Sequence, residues 1–361
     1  MKPVLAAGAA ALMLGAPLAA QADMAAAQAI LDAHRAIPTF EPPGEPFDAR
    51  ACMAGKRAFS IPVTMTVPFV VELQRAMQRA AAEVGFEYVV WENQGAADIW
   101  IQGVNQAIAQ GFDVLDLNGG LNPEWLGPQL AEARAAGLAI TTTHLYDDTQ
   151  EQFAGVDASA KVPFSRAGEI LAAWAYVRTD GAPNVVIVGS DDVLPTTPFV
   201  QSIQRTLTEL CPDCPQVYLN VPLSEWGTRI QPGVQSAVLA NPGVNFILPI
   251  YDSMAQFVVP ALRITGSDAR IASFNGTPFV LDMVREGTVD MNIGESLGWA
   301  GYASVDVMMR QLCGLETPES LNIPLLIFDA DNIETVGIPA DFDSGYGDAH
   351  LAGFRALWML E

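Results

Sequence analysis

The sequence predicts an α/β protein made of two doubly wound parallel-sheet lobes, and three observations carry that prediction. Near-continuous apolar runs alternate with helical segments along most of the chain, and strands that are apolar on both faces belong to parallel sheets covered by helices on both sides. About ten such runs exceed what one compact open sheet takes, so two sheets are the economical reading. The 361 residues, half of them hydrophobic, are enough for two domains that each bury a core.

Taken in order, Lys2, an apolar run from Val4 to Leu18 and Ala20-Gln21-Ala22 form the pattern of a secretory signal peptide, with cleavage expected after Ala22. The run is shorter than the roughly 20 residues a bilayer requires, and no later stretch is long enough either. No Cys lies near the cleavage site to carry a lipid anchor. Residues 23–55 read as an Ala-rich helix from Met24 to Arg35 and an extended arm from Ile37 to Pro46, too rich in proline for helix and expected to lie on the surface.

The regular pattern begins at Arg57. Strands expected at Ala58 to Met65, Phe86 to Trp91, Phe112 to Leu117 and Leu138 to Thr143 alternate with helices at Pro68 to Val84, Asp98 to Gln110 and Pro123 to Ala136. Gly85, Gly111 and Gly137 fall just past those helices, where a left-handed cap favours glycine. The pattern pauses over Tyr146 to Val162 and resumes with a helix at Pro163 to Val177. Strands then follow near Asn184 to Val188, Gln216 to Val221, Asn245 to Tyr251, Arg270 to Phe274 and Val289 to Ile293. The helices between and after them are Pro198 to Leu210, Arg229 to Ala240, Met254 to Ile264, Pro278 to Glu286 and Leu297 to Leu312.

Composition narrows the function. A net charge of -23, from 41 acidic and 18 basic residues, argues against nucleic acid and anionic membrane as partners and disfavours an anionic substrate. Four cysteines suit an oxidising compartment, and three pairings are possible. Cys211 and Cys214, two residues apart between a helix and a strand, fit a redox motif, half a metal site or a local disulfide. With no second Cys pair and no nearby His the disulfide is preferred, which leaves Cys52 to pair with Cys313. There is no Walker loop, no G-x-G-x-x-G after the first strand, no H-E-x-x-H and no G-x-S-x-G elbow. His34, His144 and His350 are far apart, so neither an enzyme nor a bound cofactor is expected.

In an open α/β sheet, the loops after the carboxyl ends of the strands form the ligand crevice. Those ends carry Thr64 to Thr66, Trp91 to Asn93, Asn118 to Gly120, Thr143 and His144, Ser190 to Asp192, Tyr251 and Asp252, Asn275 and Gly276, and Glu295 and Ser296. Phe69, Trp226 and Trp299 lie close by. Carboxylates and amides bind vicinal hydroxyls while an aromatic face covers the apolar side of a sugar ring, so a neutral polyhydroxylated ligand is expected. Thr66, Phe69, Trp91, His144, Trp226, Tyr251, Asp252, Asn275 and Glu295 are its candidate ligand-binding residues. Trp100, Trp125 and Trp174 fall inside predicted helices and read as packing residues.

From Lys56 to about Asp331 the chain resembles the ribose-binding-protein branch of the type I periplasmic solute-binding proteins. The resemblance rests on Val67-Pro68-Phe69-Val70 opening the first helix, Gln106 to Asp113 leading into the third strand, Ser273-Phe274-Asn275-Gly276, and Gly294-Glu295 before a long helix. It implies a first lobe over 56–157 plus 296–326, a second over 158–295 plus 327–361, and a three-strand hinge. It also implies that Phe69 and Trp226 sandwich the ligand and that Asn275 and Glu295 bind its hydroxyls, with Tyr251 and Asp252 at the place of an asparagine-aspartate pair in relatives.

The departures concern selectivity. Val67 stands where relatives carry an asparagine, Val70 where they carry a second phenylalanine, and His144-Leu145 where they carry aspartate-arginine. No Arg follows the fifth strand. Losing two bidentate donors removes the groups that grip ribose, and leaves a different sugar, an alditol or a less hydroxylated solute. The resemblance implies a periplasmic, monomeric receptor that delivers a monosaccharide or polyol to the membrane permease of an ABC importer. Trimethylamine-oxide sensor proteins and autoinducer receptors share the layout, so a sensor subunit serving a membrane histidine kinase is the alternative.

Overall fold

The computed structural model describes residues 16–360, with side chains from Asp23 onward. Residues 1–15 of the expected leader lie outside the described residues. The chain runs through α1 (Ala16–Asp32), α2 (Ala49–Met53), β1 (Arg57–Pro62), α3 (Pro68–Val84), β2 (Glu87–Val90), α4 (Ala97–Ala109), β3 (Val114–Asn118), α5 (Gly127–Ala135), β4 (Ala139–Asp147) and β5 (Ala158–Val162). It continues with α6 (Phe164–Arg178), β6 (Val185–Gly189), α7 (Thr196–Leu210), β7 (Gln216–Asn220), α8 (Trp226–Ala240), β8 (Phe246–Pro249), α9 (Ala255–Thr265), β9 (Arg270–Asn275), α10 (Pro278–Arg285) and β10 (Met291–Gly294). The last elements are α11 (Leu297–Leu312), β11 (Leu326–Phe328) and α12 (Ala349–Leu357).

Two sheets result. The first has five parallel strands in the order β2-β1-β3-β4-β5, and the second six in the order β11-β10-β9-β8-β6-β7, with β11 alone antiparallel. The interior strands β3 and β6 are buried along their whole length, the expected outcome for strands with helices on both faces. Helix α3 shows how the local sequence sets an element. Pro68 occupies the first turn, an apolar stripe including Phe69, Val70, Leu73 and Met77 faces the core, and Gly85 ends the helix at φ 96° with its N–H bonded to Ala81 O.

The structure departs from expectation in four places. Helix α1 starts at Ala16 rather than Met24 and passes through the expected cleavage point. Residues 158–162, read as a pause and assigned to the second lobe, form β5 at the edge of the first sheet; small residues and Lys161 mask a strand that alternates buried and half-buried. Helix α12, assigned to the second lobe, packs on α11, which itself packs on α3 of the first lobe. Phe354 and Trp358 lie against Tyr302, and Trp358 Nε1 donates to Asp306.

The last departure is in the hinge. Helix α1 packs on α6 of the second lobe, whereas the Pro-rich arm lies on the first, where Phe40 meets Trp299 and Phe354 and Arg310 donates to Glu45 O. The arm and the return to α12 therefore join the three expected crossings between lobes. His34 and Arg35 tie the arm's start to the β11 crossing through Leu325, Ile327 and Asp329. Cys52 is bonded to Cys313 and Cys211 to Cys214. The first joins α2 to the end of α11, and the second closes the α7–β7 loop.

Candidate functional site

The carboxyl ends of both sheets face one cleft. From the first lobe, the loop after β1 brings Val63 and Val67, the first turn of α3 brings Phe69 and Val70, and β3 and β4 supply Gly119 and His144. From the second, the loop after β6 brings Val193 and Pro195, and the loop after β7 brings Leu223 and then Trp226 at the start of α8. The ends of β8 and β9 bring Tyr251, Ser253 and Asn275. Together they line an inner cavity of about 30 Å³.

Its aromatic walls come from opposite lobes. The Phe69 ring lies 4.5 Å from the His144 ring, tilted by 48°. Trp226 stacks on Tyr251 at 6.2 Å and 22°, and the indole N–H donates to Ser190 Oγ at 2.6 Å. The Tyr251 hydroxyl pairs with Thr196 Oγ1 at 2.9 Å, so both aromatics of the second lobe are held by their polar ends.

A buried polar junction closes the back of the cavity. His144 Nε2 lies 2.8 Å from Glu295 Oε1, and Asn275 Nδ2 donates to the same oxygen at 3.1 Å. The β4–β5 ladder loses register between Thr143 and Asp147, and His144 sits in that irregularity with φ 56°. Asn275 and Ser296 also have positive φ, 145° and 51°. Three non-glycine residues in disfavoured conformations around one contact is the pattern of backbone strain held at a functional site. Gly276 is required beside them, because at φ 78° a Cβ there would lie 2.9 Å from Gly294 Cα.

The candidate residues separate into four groups. Phe69, His144, Trp226, Tyr251 and Asn275 meet in the inner cavity, and Glu295, fully buried, reaches it only through His144 and Asn275. Asp252 lies behind the wall, accepting from Thr277 N at 2.7 Å and Thr277 Oγ1 at 2.6 Å, and burial holds its carboxyl up at about 7. It orders the turn that carries Tyr251 and Ser253. Thr66 lies on an adjoining outer cavity, at 2.9 Å from Thr64.

Trp91 lines neither cavity. Its indole folds onto α4, donating to Ile99 O at 2.9 Å, where Gly103 leaves no room for a Cβ. Conversely, Trp125, read as a packing residue, is 47% exposed and lines the outer cavity with Trp100. Val193, Pro195 and Leu223 were missed because loop aliphatics carry no chemical signal in a sequence; only their place after β6 and β7 marks them.

Residues 58–316 match the family described as Periplasmic binding protein domain. The chain belongs to this family. Among solved structures, this periplasmic binding protein is similar to an ABC transporter solute binding protein from Mycobacterium smegmatis with bound glycerol, at TM-score 0.70 and 18% identity over 80% of this chain and 99% of that one. It is also similar to one from Agrobacterium vitis with bound allitol, at 0.68 and 17% over 77% and 97%. A third, from Actinobacillus succinogenes with bound D-allose, gives 0.67 and 15% over 77% and 99%. At these identities the likeness is one of fold. No curated protein sequence matches the chain. Among the described residues, no helix of this binding protein is long and apolar enough to cross a membrane.

Proposed function

We propose that the protein is the receptor of an ABC importer, exported by cleavage after Ala22, which captures a small neutral hydroxylated solute between its lobes and delivers it to a membrane permease. The observation that carries the reading is the division of the inner cavity. Phe69 and His144 come from one lobe, and Trp226, Tyr251 and Asn275 from the other, so the complete set exists only when the lobes are closed. A solute that needs the whole set shifts the population to the closed form, a difference a permease can read.

Electrostatics agree with a neutral solute, since neither cavity is lined by Lys or Arg, and binding an anion in a desolvated cleft calls for such a partner. Glycerol, allitol and D-allose in the similar structures have the same chemical character. The test is a thermal-shift screen of sugars, alditols, nucleotides and sugar phosphates. A ligand at about 100 times its dissociation constant adds about 2.7 kcal/mol to the folded state. Stabilisation by a neutral hydroxylated solute alone is expected. Silence across the sugars and alditols with a response to a nucleotide, a sugar phosphate or another charged solute would overturn the reading.

A further inference from the structure

The inner cavity is poorly equipped for a fully hydroxylated ring. Its walls are aliphatic on both sides, with Val63, Val67 and Val70 facing Val193, Pro195 and Leu223. Few polar atoms remain to meet hydroxyls. The Tyr251 hydroxyl is engaged by Thr196, and His144 Nε2 and Asn275 Nδ2 meet at Glu295. Among the described residues, the Ser253 hydroxyl is buried there without a partner, and Asn275 Oδ1 and His144 Nδ1 enter no hydrogen bond, fewer groups than a hexose has hydroxyls. A hexose enclosed here would leave several hydroxyls unpaired, each carrying a desolvation cost.

The cleft does not end there. Past Val63 and Leu223, which line both spaces, lies the larger outer cavity, of about 200 Å³. It is more polar than the inner one, although Thr64 and Thr66 pair with each other. Thr64, Thr66 and Gln94 from the first lobe face Asp192 and Ser224 from the second. Beside them Trp100 and Trp125 are stacked at 5.9 Å and 18°, and nearly half of Trp125 is exposed. Asp192 accepts from Leu223 N with both carboxylate oxygens and keeps lone pairs for a ligand hydroxyl. Hydroxyl-binding groups next to an exposed aromatic face suit a sugar ring.

We propose that the two cavities form one site for a two-part solute: a glycoside whose sugar ring occupies the outer cavity beside Trp125, and whose compact apolar aglycone fills the inner one between Phe69 and Trp226. The proposal rests on the reading that the cleft is the ligand site, and it narrows the solute class.

The test is calorimetric titration of the exported chain with phenyl and methyl glycosides of glucose, galactose and xylose in both anomers, alongside the free sugars, allitol and glycerol. At least one glycoside of the panel is expected to bind tenfold or more tightly than its free sugar. Trp125→Ala and Gln94→Ala, both at exposed positions and checked for folding by circular dichroism, are expected to weaken that glycoside at least fivefold. Free sugars or alditols binding as tightly as every glycoside would overturn the two-part site while sparing the receptor reading, and so would a bound glycoside indifferent to both variants. No binding by any member of the panel would overturn both.

Discussion

Trp226 is the residue at which binding and folding can be separated. Its side chain is almost wholly buried, it is stacked on Tyr251, and its N–H is bonded to Ser190 Oγ, which in turn donates to Val221 O at 2.6 Å. Trp226→Ala removes an aromatic wall of the cleft, a truncation that costs about 2 kcal/mol or more in binding, or about thirtyfold in affinity. It also leaves a cavity at the head of α8, for about 3 to 5 kcal/mol of stability. Trp226→Phe keeps an aromatic face and loses only the indole hydrogen bond, worth about 1 kcal/mol. Calorimetric titration with the tightest solute of the screen, with thermal melts of each variant, reads both effects. Affinity in the folded Trp226→Ala variant equal to the parent's would remove this residue from the site.

Other consequences are as direct. Burial raises the Asp252 carboxyl to about 7 and Asp116, on β3, to about 6; a raised carboxyl contributes stability that is full below its unfolded value and lost as pH rises through the folded one. Urea melts should therefore show the protein about 2 to 4 kcal/mol more stable at pH 5 than at pH 8, net of the opposing lowered His34, and Asp252→Asn should flatten the slope. A flat profile in the parent would contradict this. Gly120 has φ 102°, and a Cβ there would lie 2.6 Å from Val193 Cγ1 on the opposite lobe, so Gly120→Ala should hold the lobes apart and weaken ligand binding, with scattering as the check on closure. Unchanged affinity would refute the clash. Thiol titration of the unfolded exported chain should find no free thiols, and Cys52→Ser with Cys313→Ser should cost about 2 to 4 kcal/mol, because the bond joins segments 261 residues apart. Four free thiols would disprove both pairings.

Where burial on both faces dictated the sequence, the sequence could be read back. Strands β6 and β8 and helix α3 fall within two residues of expectation, because uniform apolar runs and glycine caps are local signals. Strand β5 escaped because an edge strand of Ala, Ser and Lys has no such run, and pairing with β4 creates it. The lobe assignment of α12 depends on Phe354 and Trp358 meeting Tyr302, a contact no local pattern encodes. The crevice rule alone pointed to the ends of β4, β8 and β9, and the structure brings them to the cleft. Trp91, expected in the cleft, folds onto α4, and Trp125, expected in packing, is exposed beside the outer cavity, because strand-end position locates a backbone and not the direction of an indole. What turns Trp91 away is the space left at Gly103, and what exposes Trp125 is a short turn following Asn122 and Pro123.

The central claim is that closure of the two lobes captures a neutral hydroxylated solute, and it is tested most directly by the solute the protein carries. Mass spectrometry of the small molecules released on unfolding the protein isolated from its native host should find one neutral, hydroxylated compound in about equimolar amount. A nucleotide, a sugar phosphate or another charged metabolite at that stoichiometry would contradict the account.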